Sequence, residues 1–238
     1  MGDPAGAYPV KASSFRFAGE TLWLDPRRAV WWPRGSSVLV ADLHLGKARI
    51  LRERGIPVPE GTTCADLQRL AAILEALRPK RLLILGDLVH GRPQPGQLWL
   101  EHWLDFRRRH RALEIAAVRG NHDHRLDFSA MAIEDWGTCA DLGPFRIRHD
   151  PSSEQLPVLS GHVHPVAKLR LGRLSARFPC LWLRPEHAVL PAFTTLAGGY
   201  PVRAGARERL FLCLEDQVLP WPPGEERDQS TRARTALR

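Results

Sequence analysis

The sequence predicts a layered α/β fold whose second half is built almost wholly of strands. Three observations predict it. A unit of apolar strand, polar loop and amphipathic helix recurs three times before residue 125, each polar loop opens with Asp, Asn or His, and helical periodicity vanishes after about residue 144. The 238 residues, 44% hydrophobic and 25% charged, are enough to bury a sizeable core, so disorder is excluded as a description of the whole chain.

Residues 1–14 are rich in Gly, Ala and Pro and are expected to be a flexible segment ahead of a single domain over 15–219. From Phe15 to Trp32 apolar positions alternate around the Asp25-Pro26 breaker, which reads as short strands and turns. Ser37 to Ala41, SVLVA, is a buried strand that delivers Asp42 and His44 at its C-terminal end. Thr63 to Leu77 carries Leu67, Leu70, Ala71, Leu74 and Leu77 at helical spacing, with Thr63 and Asp66 resembling a capping box and Pro79 ending the helix.

Arg81 to Leu85 is a second buried strand running into Gly86-Asp87, and Leu98 to His110 is a helix with Trp99, Trp103 and Phe106 on one face. Glu114 to Val118 is a third strand, running into Gly120-Asn121-His122-Asp123, so all three polar motifs fall at one edge of the implied sheet. The remaining strands, at Phe145 to Arg148, Pro157 to Leu159, Val166 to Leu171, Pro179 to Leu183, Ala188 to Leu190 and Arg209 to Leu214, predict a second sheet stacked on the first with helices outside. From Pro220 to the end the chain is Pro-, Gly- and charge-rich and is expected to be a disordered basic tail.

The 34 basic residues outnumber the 26 acidic ones, giving a net charge of +8 that favours a polyanionic partner, although only four of them are lysine and arginine-rich base composition produces the same excess. The four cysteines form no CxxC pair, which argues against a zinc knuckle or disulfide framework and for buried thiols in a reducing compartment. With no basic-then-apolar leader and no run of 18 apolar residues, a cytoplasmic protein without a membrane partner is expected. The tryptophans read as core rather than as base-stacking surfaces.

The chemistry lies in five segments: Asp42-x-His44, Gly86-Asp87, Gly120-Asn121-His122-Asp123, His149-Asp150 and Gly161-His162-x-His164. Singly, each has an ordinary reading as a turn or a surface histidine. Together, each following an apolar strand, they form a donor set of carboxylates and imidazoles suited to a pair of borderline divalent ions, and the absence of thiolates disfavours structural zinc. Asp87, alone on its strand end, is the candidate bridge between two ions, which would supply hydroxide near neutrality. His122 is the candidate general acid, with Asp123 orienting its imidazole. Lys47, Arg49, Arg92 and Arg125 follow the metal motifs closely and suit phosphate contacts, although arginines in such positions also serve as a solvated face.

These motifs, spanning residues 42–164, together resemble the signature of the calcineurin-like metallophosphoesterases. The resemblance implies a double β-sandwich flanked by helices. It implies that Asp42, His44, Asp87 and His164 hold one metal, that Asp87, Asn121, His149 and His162 hold the other, and that His122 is catalytic. His149 is preferred over the neighbouring His124 for its order and spacing. A narrower resemblance, in Ala41-Asp-Leu-His-Leu-Gly-Lys47, Gly161-His-Val-His-Pro165, Pro179-Cys-Leu-Trp182, Leu190-Pro-Ala-Phe193 and Gly198-Gly199, is to the PdeM family of bacterial ligase-associated DNA damage response endonucleases. It implies a manganese-dependent phosphodiesterase and DNA endonuclease, with iron, zinc, nickel or cobalt as alternative ions, acting in repair beside a DNA ligase, a helicase and an exonuclease. A phosphomonoesterase, or a phosphatase of nucleotides or proteins, shares the same metal motif. An inactive binding or scaffold module is the reading from another class, against which the full ligand set and His122 stand.

Overall fold

The structure is a computed structural model and describes residues 11–152, 154–171 and 174–221. Its first sheet has seven strands in chain order, β1 (Ser13–Phe17), β2 (Glu20–Asp25), β3 (Ala29–Trp32), β4 (Ser37–Val40), β5 (Arg81–Leu85), β6 (Glu114–Val118) and β7 (Glu134–Asp135). The first four are antiparallel, and β4 to β7 are parallel. Helices α1 (Lys47–Glu53) and α2 (Thr62–Leu77) connect β4 to β5, and α3 (Leu98–Arg109) connects β5 to β6.

The second sheet holds nine strands: β8 (Cys139–Leu142), β9 (Phe145–Arg148), β10 (Val158–Ser160), β11 (Pro165–Leu171), β12 (Leu174–Leu183), β13 (His187–Val189), β14 (Tyr200–Val202), β15 (Arg209–Cys213) and β16 (Val218–Trp221). Within it β9, β10 and β13 run parallel, which brings the ends of β9 and β10 to one edge.

Alternation along the central strands explains why the sheets stack. Val38, Val40, Leu82, Ile84, Ile115 and Ala117 turn to one face and pack on Leu70 and Ile73 of α2 and on Trp103 and Phe106 of α3. Leu39, Ala41, Leu83, Leu85, Ala116 and Val118 turn to the other and meet Phe145, Ile147, Leu159, Leu181 and Phe211 of the second sheet. A helix layer and two sheets result.

Four details depart from the sequence expectations. β1 begins at Ser13, and Lys11 bridges to Gln217, inside the segment expected to be flexible, whose first ten residues lie outside the described ones. β16 runs to Trp221, two residues into the expected tail, and residues 222–238 lie outside the described ones. No capping box forms on α2, because Gly61 is its N-cap and the Asp66 carboxylate bonds instead to Thr194 and Arg69. Cys180 and Cys213 are buried thiols as expected, but Cys64 is half-buried and Cys139 exposed.

Candidate metal centre

The C-terminal ends of β4, β5, β6, β9 and β10 converge where the two sheets meet, and the motif side chains lie there together. Asp42, His44, Asp87, His162 and His164 all adopt left-handed backbone conformations, with φ between 48° and 68°. Such conformations cost a non-glycine residue roughly 1–3 kcal/mol and persist where surrounding structure dictates them. Here the Asp42 amide donates to the Gly86 carbonyl at 3.1 Å and the His44 amide to the Asp87 carbonyl at 2.9 Å, so the ends of β4 and β5 hold each other. The adjoining turn requires a glycine at position 120, where a Cβ would come within 2.1 Å of Asp87 Oδ1.

Asp42 is fully buried, and its Oδ1 lies 3.2 Å from His164 Nε2. Asp87 Oδ2 lies 3.4 Å from His149 Nε2, 3.8 Å from His44 Nε2 and 3.9 Å from His122 Nε2, while its Oδ1 accepts the His122 amide at 3.0 Å. Asp87 thus stands between the two groups of imidazoles. His44 Nε2 and His164 Nε2 approach to 3.4 Å. On the other side His149 Nε2 lies 3.1 Å from Asn121 Oδ1 and 3.0 Å from His162 Nδ1. The buried His149 turns its Nδ1 to the Leu85 carbonyl at 2.9 Å, which orients Nε2 toward this cluster. His124, the alternative to His149, is exposed and lines an adjoining cleft.

Electrostatics follow from this crowding. Burial lowers His44 to about 2, with the Lys47 charge adding to it. Burial would also lower His149, but its hydrogen bond to Asp87 and the charges of Asp87 and Asp42 raise it to about 9. Burial would raise Asp87, yet the same His149 contact holds it below the ordinary carboxylate range. The donors fit a cation. Among the described residues neither Asp42 nor Asp87 pairs with an arginine or lysine within 4.0 Å, and His44 Nδ1 is buried without a partner. Three triads, Asp42–His44–His164, Asp42–Asp87–His149 and His44–His90–His122, each place one donor atom per residue within 4.8 Å of the others. Two buried carboxylates without an arginine or lysine partner draw positive charge, which falls here on the His149 imidazole and which a metal ion would supply in its place.

His122 stands at the edge of this cluster, its side chain 37% exposed, and opens on a cleft of about 300 Å³ that Asn121, Arg92 and Arg125 also line. Asp123 does not orient the His122 ring. Its fully buried carboxylate accepts the backbone amides of Leu88, Val89 and Gly120 at 3.2, 3.2 and 3.0 Å, which ties the loops after β5 and β6 together. Burial raises the Asp123 carboxyl above its ordinary range, against those three amides. The ring beside His122 is His90, whose centroid is 4.3 Å away, and which the sequence reading passed over. Its signal was a histidine three residues after Asp87 on the same strand end. Burial and the neighbouring His122 lower it to about 4.

Lys47 opens α1 and is half-buried, close enough for the charges of Asp42 and Asp87 to act on it. Arg49 departs from its expected place: it pairs with Glu53 one turn along α1 and lines a separate groove of about 420 Å³ with Arg52 and His102. No helix among the described residues is long and apolar enough to cross a membrane.

The model of the calcineurin-like phosphoesterase family matches residues 37–184, from β4 to the end of β12 and so through all five metal motifs. The chain belongs to the calcineurin-like phosphoesterases. It is therefore a member of a family of metal-dependent phosphoester hydrolases, and its double-sheet fold is the one the motifs implied. Among solved structures it is similar to the Pseudomonas putida nuclease MPE, at 35% identity and a TM-score of 0.77 over 88% of this chain and 100% of that one. A protein of unknown function from Aquifex aeolicus, AQ665, is 17% identical with a TM-score of 0.40 over 54% of this chain and 78% of that one. A search of curated proteins finds no match.

Proposed function

We propose that this calcineurin-like phosphoesterase is a two-metal phosphodiesterase that cuts DNA strands in repair, in the cytoplasm. The observation that carries the reading is the pair of buried carboxylates, Asp42 and Asp87, ringed by His44, His149, His162 and His164 beside an open cleft that bears Arg92 and Arg125. Asp42, His44, Asp87 and His164 would hold one ion and Asp87, Asn121, His149 and His162 the other, with manganese as the proposed metal. Two such ions supply a water-derived nucleophile near neutral pH and neutralise charge building on the phosphate.

The protein's own groups do the rest. Arg92 and Arg125 take non-bridging phosphate oxygens and hold the diester in the cleft. His122, partly exposed at the inner end of the cleft, protonates the departing sugar oxygen through its imidazolium. His90, packed on the His122 ring, limits where that imidazole can turn. Lys47, behind Asp42 and Asp87, adds positive charge for an anionic substrate.

The similarity to a nuclease supports a nucleic-acid diester over a monoester, as do the cations around the cleft. Work beside a DNA ligase, a helicase and an exonuclease is the process we propose. The test compares a bis-aryl phosphate diester, an aryl phosphate monoester and a circular DNA under one manganese concentration. Diester turnover with DNA nicking is expected, whereas monoester preference with intact DNA would transfer the chain to the phosphomonoesterases.

A further inference from the structure

The segment from Phe193 to Tyr200 connects the two halves of the metal centre, and nothing in the proposed chemistry uses it. At its start the Phe193 and Thr194 amides donate to the carbonyls of Ala41 and Asp42, at 2.8 and 3.2 Å. At its end the Tyr200 amide donates to the His164 carbonyl at 2.9 Å. One end is therefore fixed to the backbone that carries Asp42 and the other to the backbone that carries His164.

A buried polar network holds the start of the segment from behind. Asp66 Oδ2 accepts the Thr194 hydroxyl at 3.0 Å and the Thr195 amide at 3.4 Å, while its other oxygen pairs with Arg69 at 2.9 Å. Arg69 donates to the Phe193 carbonyl and covers its ring at 4.3 Å, and Arg28 donates to the Thr194 carbonyl at 2.9 Å. Such a network, contacting the segment from several sides, rigidifies the backbone it touches. The far end is equally constrained. Gly199 turns with φ of 72°, and a Cβ there would come within 2.2 Å of Val166 Cγ1, so only glycine admits the turn. Pro165, Val166 and Ala167 then pair in parallel with Tyr200, Pro201 and Val202.

What this framework presents is an exposed ring. Tyr200 is 65% exposed, and the other large hydrophobic residues exposed among those described, Ile56 and Leu98, are aliphatic. Its backbone is tied to that of His164, which stands at one end of a row in which His44 lies between His164 and His122, at ring-centroid distances of 5.3 Å to each. The cleft with Arg92 and Arg125 lies at the His122 end of that row. Arg92 and Arg125 and the exposed Tyr200 therefore belong to opposite ends of that row.

We infer that Tyr200 is a base-stacking platform, holding a nucleobase next to the phosphate that is cut. The inference rests on the proposed reading that DNA is the substrate. A tyrosine suits the role because its flat face is sequence-tolerant, its hydroxyl is compatible with solvent, and it has few rotamers to lose on binding. A base stacked on an aromatic side chain contributes roughly 1–3 kcal/mol, so removing the ring should weaken binding by about 10-fold.

The test measures binding of a fluorescein-labelled single-stranded oligonucleotide to the full chain with manganese, and cleavage of the same oligonucleotide, for Tyr200→Ala and Tyr200→Phe. A second oligonucleotide carries tetrahydrofuran spacers in place of its bases. Tyr200→Ala should raise the Kd for the natural oligonucleotide about 10-fold, and should lower kcat/KM on it by about 10-fold more than on a bis-aryl phosphate. Tyr200→Phe should restore both, since the ring face is kept, and the spacer oligonucleotide should bind wild type and Tyr200→Ala alike. Equal Kd values for wild type and Tyr200→Ala on the natural oligonucleotide would overturn the inference, as would a failure of phenylalanine to rescue. If wild type hydrolyses the aryl diester but neither binds nor cuts either oligonucleotide, the DNA reading itself fails and this inference with it.

Discussion

The two halves of the chain build the metal centre with the same backbone device but contribute different chemistry. Both place left-handed residues at the ends of parallel strands: Asp42, His44 and Asp87 from the first sheet, His162 and His164 from the second. The first half supports its ends with crossover helices and brings both central carboxylates, Asp42 and Asp87, which are 0% and 3% exposed. The second half has no helix of its own among the described residues between β9 and β10 and brings imidazoles only, His149, His162 and His164. The carboxylates thus come from one side of the seam, and the other side brings imidazoles alone. Neither half holds a complete site, so the centre depends on how the sheets pack.

Substitutions on the two sides should therefore fail in different ways. Asp87→Ala removes the charge between the two imidazole groups. Several kcal/mol of transition-state stabilisation go with the metals it would share, so activity on every substrate should fall by at least about 10³-fold and added manganese should not restore it. His162→Ala takes away one imidazole donor and no carboxylate. Metal affinity should weaken by about 10–100-fold or more, and millimolar manganese should recover much of the turnover. Metal titrations of both variants, read by diester hydrolysis, decide the matter: if Asp87→Ala is rescued as readily as His162→Ala, the division of charge and donor between the halves is wrong.

His122 belongs to the first half by sequence but opens on the cleft, and it sharpens the comparison by separating proton donation from metal assembly. His122→Ala should keep its metals and some activity on an aryl diester, whose phenolate leaves without a proton. DNA cleavage should fall by a further factor of about 10² to 10⁴, because a sugar alkoxide does not leave unprotonated. Metal analysis and parallel assays on both substrates test this. Equal losses on the two substrates would remove the general acid from His122.

Much of this was legible in the sequence. That β4, β5 and β6 end at the polar motifs follows from short apolar runs each leading into a glycine or an aspartate, and helical spacing of Leu67, Leu70 and Leu74 marks α2. The rest depends on contacts between segments distant in the chain. Asp123 looked like a partner for its neighbour His122, but three amides from two loops claim its carboxylate, and two of those lie 34 and 35 residues away. Asp66 has the spacing of a cap, yet its carboxylate accepts the hydroxyl of Thr194, 128 residues on, instead. Tyr200–Val202 gave no strand signal because two glycines precede it and a proline interrupts it, and it is a strand only because β11 lies beside it.

The altered place of Asp123 gives a smaller effect of another kind. Asp123→Ala leaves three buried amides without their acceptor, at a cost of about 3 kcal/mol in all if water reaches some of them. For a chain of this size that corresponds to a fall in Tm of about 6–12 °C. Activity of the folded fraction should fall in parallel on aryl diester and DNA, since the loops after β5 and β6 move together. A loss on DNA alone, with Tm unchanged, would return Asp123 to the orienting role that the structure takes from it.

The smallest effects belong to the arginines, and they ask which way the substrate lies across the seam. Arg92 and Arg125 line the cleft with His122, whereas Arg49 is paired with Glu53 and faces another groove. A cation that neutralises a phosphate releases counterions, so losing one such contact should lessen the slope of log affinity against log salt by about 0.7 for a single strand. Arg92→Ala and Arg125→Ala should each do so, and each should raise the KM for DNA by a factor of about 3 to 10, as expected for one charge-assisted contact at a partly exposed site. The double variant should lower the slope by about twice as much, because the counterions released at two phosphates add. Arg49→Ala frees Glu53 to face solvent and removes no cation from the cleft, so its slope should stay nearer that of wild type. Oligonucleotide binding over a series of potassium chloride concentrations gives all four slopes. If Arg49→Ala changes the slope as much as Arg92→Ala does, the strand runs along α1 rather than through the cleft beside His122.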